Sequence, residues 1–147
     1  MPEAPIEVLL VEDDPNDVEM TLYAFEQHRL NNRVHVVRDG AEALDFVYGT
    51  GPYAGRQGWE GLKVILLDLK LPKVDGVEVL RRLKSDPRTR AIPVVVLTAS
   101  REERDRVQTY ELGVNSYLVK PVDFEKFVEA VRQVGLYWLL LNQPPPG

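Results

Sequence analysis

Five residues that could do chemistry together stand at the ends of apolar runs. Glu12 and Asp13 follow "IEVLLV", Asp68 closes "KVILLD", Thr98 closes "PVVVLT", and Lys120 follows "NSYLV". A buried, unpaired carboxylate is costly enough to change its pKa or be expelled, so Asp68 must emerge at an edge or meet cations there. Three carboxylates on one rim repel one another and raise at least one pKa unless a cation sits among them. Mg2+ takes a few carboxylate oxygens and keeps several waters, which suits two or three acids and a backbone carbonyl. Lys120 adds an ammonium able to pair with Asp68, or with a phosphoryl group placed on it, and Thr98 adds a hydroxyl. In such a setting Asp68 is displayed as a nucleophile. Its attack on phosphorus would give an acyl phosphate, with the cation and Lys120 neutralising charge on the phosphoryl oxygens.

These residues share a rim only if the chain between them folds suitably. The apolar runs at Ile6 to Val11, Arg33 to Val37, Lys63 to Asp68, Pro93 to Thr98 and Asn115 to Val119 are short and rich in β-branched or aliphatic residues, so they predict five strands. Between and after them come stretches of helical period: Val18, Leu22 and Phe25; Ala41, Leu44 and Val47; Val77, Leu80, Leu83 and Lys84; a mostly polar run from Arg101 to Leu112; and Phe124 to Val134. Strict alternation of strand and helix, with continuous rather than alternating apolar strands, predicts right-handed βαβ units and a parallel sheet covered on both faces. In such a sheet ligands bind beyond the carboxyl ends of the strands, where the five residues stand. Asp14 before Pro15, Asp39 before Gly40, and Asp123 before Phe124 are N-cap candidates. The glycine-rich "GTGPYAGRQGWEG", Gly49 to Gly61, breaks both periods and predicts a long loop.

Composition narrows the function. A chain of 147 residues fits one ordinary domain, and its formal charge of -5 supplies no basic stripe for phosphate backbones or anionic membrane, so nucleic-acid binding is not expected. There is no cysteine, which removes disulfides, thiolate catalysis and Cys-ligated metal. The acidic, proline-bearing N-terminus is unlike a signal peptide, and no apolar run is long enough to span a bilayer, so a cytoplasmic protein without membrane attachment is expected.

The segments "LLVEDDP", "LLDLKLPKVDG", "VVVLTAS" and "YLVKP" together resemble the receiver domain of two-component response regulators, in order and spacing across nearly the whole chain. That resemblance implies a flavodoxin-like (βα)5 fold with strand order 2-1-3-4-5. It implies that Asp68 is the phosphoacceptor, that Glu12 and Asp13 belong to a Mg2+ pocket, and that the Lys70 carbonyl completes the protein's ligands. It also implies that Lys120 pairs with the phosphoryl group, that Thr98 and Tyr117 form a switch pair, and that Pro121 follows a cis peptide. Within the family, "FVYGTGPYAG", "ELGVNSYLVKP" and "LYWLL" are most similar to the single-domain regulators served by bacterial phytochrome histidine kinases. The expected partners are therefore such a kinase and a downstream protein not identifiable from sequence. Lys70 departs from that subgroup, which more often carries an amide there.

Other readings stand beside this one. A lone strand-end acid is most often a solvated residue or a cap, and Tyr117 by default is a half-buried strand aromatic. A degenerate receiver acting as a phosphorylation-independent binding module, or an aspartate-nucleophile phosphohydrolase, could use the same topology. The chain lacks a glycine-rich loop after the first strand, and Lys70 stands where a D-x-D motif would place its second acid, so an enzyme is not expected beyond self-catalysed phosphorylation and dephosphorylation. His28 and His35 lack ligand spacing and are read as plain surface or partly buried residues. The receiver is expected over residues 1–135, with residues 136–147 a continuation of the last helix and a proline-rich tail. Phe124, Phe127, Val131, Val134, Trp138 and Leu141 keep a heptad rhythm through Gly135; the apolar end can fold back on its own domain, but the expectation, which the resemblance also implies, is a homodimer through the last helix and that extension.

Overall fold

The structure, a computed structural model, describes residues 6–27, 33–55, 58–98, 116–120, 125–127 and 129. Among them lie five strands, β1 (Val8–Val11), β2 (Val34–Val37), β3 (Val64–Asp68), β4 (Val94–Thr98) and β5 (Ser116–Val119), and three full helices, α1 (Pro15–Gln27), α2 (Gly40–Tyr48) and α3 (Gly76–Ser85). The strands form a parallel sheet in the order β2-β1-β3-β4-β5, so the flavodoxin-like order is as expected. Each strand starts one or two residues later than its apolar run. The leading residues are drawn into turn bonds instead, as where Glu7 accepts from the Lys63 amide at 2.8 Å.

The central strands β1, β3 and β4 are buried along their whole length, and successive side chains feed opposite faces of the sheet. Leu9, Val11, Ile65, Leu67, Val94 and Val96 pack on one face with Leu44 and Val47 of α2 and Val79, Leu80 and Leu83 of α3. Val8, Leu10, Val64, Leu66, Val95, Leu97 and Leu118 pack on the other with Val18 and Phe25 of α1 and with Phe127. Residues 125–127 and 129 are helical, and the Phe127 ring meets Phe25 at 4.6 Å between centroids. On α3 Val79, Leu80 and Leu83 are buried, while Val77 packs at the margin of the core.

The helix starts obey their capping residues. Asp14 Oδ1 accepts from the amides of Asn16 (2.8 Å) and Asp17 (3.4 Å), which makes it the N-cap of α1 with Pro15 in the first helical position. Asp39 Oδ1 accepts from the Glu42 amide at 2.7 Å, and Glu42 Oε1 accepts in return from the Arg38 amide at 3.0 Å. Gly49 ends α2 in the left-handed conformation, φ 68°. The long loop that follows holds a 3-10 turn at Gly51–Tyr53. The expected fourth helix, the Asp123 cap, Pro121 and the C-terminal extension lie outside the described residues.

Candidate functional site

The acids converge at the carboxyl edge of the sheet. Val11 pairs beside Leu67 across β1 and β3, so Glu12 emerges from β1 at the level where Asp68 ends β3. One strand further, Asp68 pairs with Leu97 and Thr98 with Val119, which brings Lys120 to the same edge. The Lys120 amide donates to the Thr98 carbonyl at 2.8 Å, tying the β5 exit to β4. Gly76 permits the α3 start to close on this rim. A Cβ there would lie 2.4 Å from the Asp68 carbonyl oxygen, and the Gly76 amide donates to Leu69 at 3.0 Å. In the loop between β3 and α3, Lys73 takes a left-handed φ of 68°, a conformation that costs a non-glycine residue free energy and clusters near functional sites.

Lys120 Nζ is the hub of the site. It lies 2.7 Å from Glu12 Oε1, 2.9 Å from Asp68 Oδ2 and 3.1 Å from Asp17 Oδ2. Its directional hydrogen bonds run to Asp68 and Asp17, whereas Glu12 Oε1 is near but out of line for one. The other Asp68 oxygen, Oδ1, accepts from the Lys70 amide at 3.2 Å, and Glu12 Oε2 accepts from the Asp14 amide at the same distance. Burial, followed by the Asp68 carboxylate, pushes the Glu12 carboxyl up from 4.5 to about 8, although Lys120 acts in the opposite sense. This is the raised acid that crowding on one rim predicts. Burial alone would lower the Lys120 ammonium, but Glu12 and Asp68 outweigh it and hold the pKa above its ordinary value.

Glu12, Asp13 and Asp68 offer carboxylate oxygens within 4.8 Å of one another; Glu12 and Asp68 are buried and Asp13 is exposed. Three hard oxygen donors, one facing solvent, fit a hard divalent cation that keeps water in its shell. A single ammonium shared among these acids leaves the cluster net negative, which leaves room for further positive charge. Thr98 sits at the same edge, fully buried, and its hydroxyl has no hydrogen-bond partner among the described residues. Tyr117 is half-buried against the α2 and α3 face, paired opposite Val96 and so two residues short of Thr98. The structure thus gathers Glu12, Asp13, Asp68, Lys70, Thr98 and Lys120 at one rim and sets Tyr117 behind it.

Sequence reasoning missed Asp17. An acid in the first turn of a helix ordinarily complements the helix dipole, and nothing in the local spacing tells that Asp17 reaches a lysine 103 positions away. His35 stayed in its expected class. Half-buried, it stacks on Phe46 with ring centroids 4.6 Å apart, and its Nε2 lies 3.0 Å from the Tyr53 hydroxyl.

A family model for the response regulator receiver domain matches residues 8–132. Among solved structures, the bacteriophytochrome response regulator AtBRR superposes with a TM-score of 0.87 at 53% identity, covering 96% of this chain and 100% of AtBRR. The response regulator Rcp1 of Synechocystis is 37% identical over 92% of this chain and 90% of its own length. Its Mn(2+)-bound form superposes with a TM-score of 0.73 at 35% identity, covering 97% of this chain and 100% of that one. A probable methanogenesis regulatory protein of Methanothrix harundinacea, FilR2, is 42% identical over 97% of this chain and 90% of its own length. Among the described residues no helix is long and apolar enough to cross a membrane. With a receiver match over residues 8–132 and the acidic rim intact, the chain belongs to the response regulator receiver domain family.

Proposed function

We propose that the protein is a phosphorylation-controlled binding module whose phosphoacceptor is Asp68. The observation that carries this reading is the setting of the Asp68 carboxylate. It is 4% exposed, one oxygen takes the Lys120 ammonium at 2.9 Å and the other the Lys70 amide at 3.2 Å, and it lies among two further acids. Glu12, Asp13, Asp68 and the Lys70 carbonyl would hold Mg2+. When bound, that ion supplies positive charge against the phosphoryl oxygens in flight and on the product.

The remaining work falls to the chain itself. An Asp68 oxygen attacks the phosphorus of a phosphohistidine, the P–N bond breaks, and its electron pair returns to the imidazole, which picks up a proton. Lys120 hands its bond from the Asp68 carboxylate to an oxygen of the new phosphoryl group. The unpartnered Thr98 hydroxyl then gains an acceptor at the same rim, and Tyr117 follows as the second member of the switch. Loss of the acyl phosphate to water resets the site. The chain modifies itself and turns over no external product, so it is a switch rather than an enzyme in the ordinary sense.

Likeness to the bacteriophytochrome response regulator AtBRR and to Rcp1 supports a bacterial phytochrome histidine kinase as the cytoplasmic donor. The output is a changed affinity for another protein. Residues 1–135 form the receiver in this reading, and residues 136–147 extend the last helix into a homodimer contact. The test is labelling by acetyl phosphate with Mg2+, read by intact mass. Wild type is expected to gain one phosphoryl group and Asp68→Asn none. Stoichiometric label on the variant would place the phosphoacceptor elsewhere.

A further inference from the structure

Asp17 lies outside the set of carboxylates able to share a metal ion, yet it takes one of the two directional hydrogen bonds of the central lysine. We propose that Asp17 is a positioning residue that anchors Lys120 from the α1 side while the lysine passes from the Asp68 carboxylate to the phosphoryl group. This rests on the phosphoacceptor reading above and adds a residue to it.

The anchor is rigid by construction. Asp17 occupies the third position of α1, where its amide is tied to the Asp14 side chain at 3.4 Å. Its carbonyl accepts at 2.8 Å from the hydroxyl of Thr21, itself 1% exposed. A cap on one side and a buried threonine on the other fix the backbone, and the carboxylate reaches Lys120 at 3.1 Å while remaining partly open to solvent. A carboxylate serving the helix dipole alone needs no partner at the exit of β5, so this bond is an additional feature. The geometry around the ammonium gives it a use. Lys120 has three protons to donate, and Asp68 and Glu12 both lie on the nucleophile's side. Without Asp17 all three would turn toward those two acids, and the oxygen that must attack phosphorus would be more fully engaged. With Asp17 the lysine keeps one fixed bond and moves another, so its charge stays in reach of the incoming group without sequestering the nucleophile. Misplacing a charged group by a fraction of its bond length is costly to a transfer step.

The test combines Asp17→Asn with Lys120→Ala and reads the rate of labelling by acetyl phosphate and Mg2+. Asp17→Asn is expected to reach full stoichiometry about tenfold more slowly than wild type. In the Lys120→Ala background the same change is expected to make no further difference, because an anchor has no effect without its lysine. An equal slowing in both backgrounds would overturn the proposal, since that is what a merely structural effect on α1 produces. A second measurement stands apart from phosphorylation: the Lys120 side-chain ammonium signal in 15N–1H NMR of the unphosphorylated protein. It is expected to be sharp in wild type and broadened in Asp17→Asn, and an unchanged signal would overturn the anchor. If wild type takes no label at all, the phosphoacceptor reading fails, while the ammonium signal still reports on the anchor.

Discussion

The rim of the sheet and the corner where β2 meets α2 are both rich in polar and charged side chains, and they treat them in opposite ways. At the corner every interaction closes on a neighbour. His35 stacks on Phe46 and meets the Tyr53 hydroxyl, Tyr53 donates to Glu42 Oε2 at 2.9 Å, and the other Glu42 oxygen takes the Arg38 amide. Arg88 pairs with Asp86 and lies over both the Tyr48 and Trp59 rings, at 5.1 and 5.4 Å. Tyr53 and Trp59 belong to the glycine-rich loop, so the corner fastens that loop down. Gly58 allows it, because a Cβ there would lie 2.0 Å from the Phe46 carbonyl oxygen. At the rim, by contrast, one ammonium faces three acids, a buried glutamate oxygen is out of line for a hydrogen bond, and a buried threonine hydroxyl has no partner among the described residues. Satisfied polar groups hold a fold together; unsatisfied ones, kept in place by a rigid sheet, mark where a ligand or a covalent group completes the structure.

The largest consequence is a pH dependence carried by the rim. The Glu12 carboxyl keeps its proton to about pH 8 in the folded chain but releases it near 4.5 once exposed. Between those values the folded state binds more protons than the unfolded one, so the stability of the metal-free protein falls as pH rises, then levels off above about 8. The total fall is on the order of 3–5 kcal/mol. Urea unfolding in EDTA across this range should show the slope in wild type and lose it in Glu12→Gln, which stays neutral throughout. Identical slopes in the two proteins would break the contrast, because the rim would then bear no uncompensated charge. A divalent cation needs the ionised carboxylate, so its apparent affinity is expected to rise over the same interval.

A smaller effect tests the corner. Tyr53→Phe keeps the ring against Phe46 and His35 and removes the hydroxyl that links His35 to Glu42. Loss of these bonds from a part-buried site is expected to cost about 1–2 kcal/mol in urea unfolding. Labelling of Asp68 by acetyl phosphate should proceed at the wild-type rate. A slowed rate with unchanged stability would mean that corner and rim are coupled, and the division drawn between them would have to go.

The two regions were also unequally legible in the sequence. The rim could be read because its residues close apolar runs: a strand ending in an acid states its own place, and the four strand ends that carry the five residues must meet at one edge of a parallel sheet. Asp17 was hidden because its partner is fixed by the β5 exit, not by anything on its own helix. The corner was hidden for a related reason. His35 and Tyr53 are 18 positions apart across a helix and a glycine-rich turn, and neither periodicity nor capping chemistry tells that their side chains touch. Local pattern gives elements and their ends, whereas contacts between a loop and a strand depend on how the loop closes.

The smallest expected change is the most discriminating, and it concerns Thr98. Its hydroxyl is fully buried at the rim, so it bears the cost of desolvation without a hydrogen bond among the described residues to offset it. Valine matches threonine in shape and lacks that hydroxyl. Replacing an unpartnered polar atom by an apolar one of the same size is neutral or favourable, so Thr98→Val should leave stability unchanged or raise it by up to about 1 kcal/mol. Were the hydroxyl part of a satisfied network like that at the corner, the same substitution would destabilise by about 1–2 kcal/mol, as at Tyr53. The sign of the change therefore decides which kind of site Thr98 belongs to. Its second half is functional. The variant should still accept a phosphoryl group on Asp68, since the attacking oxygen and Lys120 are untouched, but without the hydroxyl the phosphoryl group loses the contact that distinguishes the two states of the switch. Backbone amide shifts of β5 on phosphorylation, large in wild type and small in Thr98→Val, are the measurement. A destabilised variant that still shows the full shift would refute both halves at once.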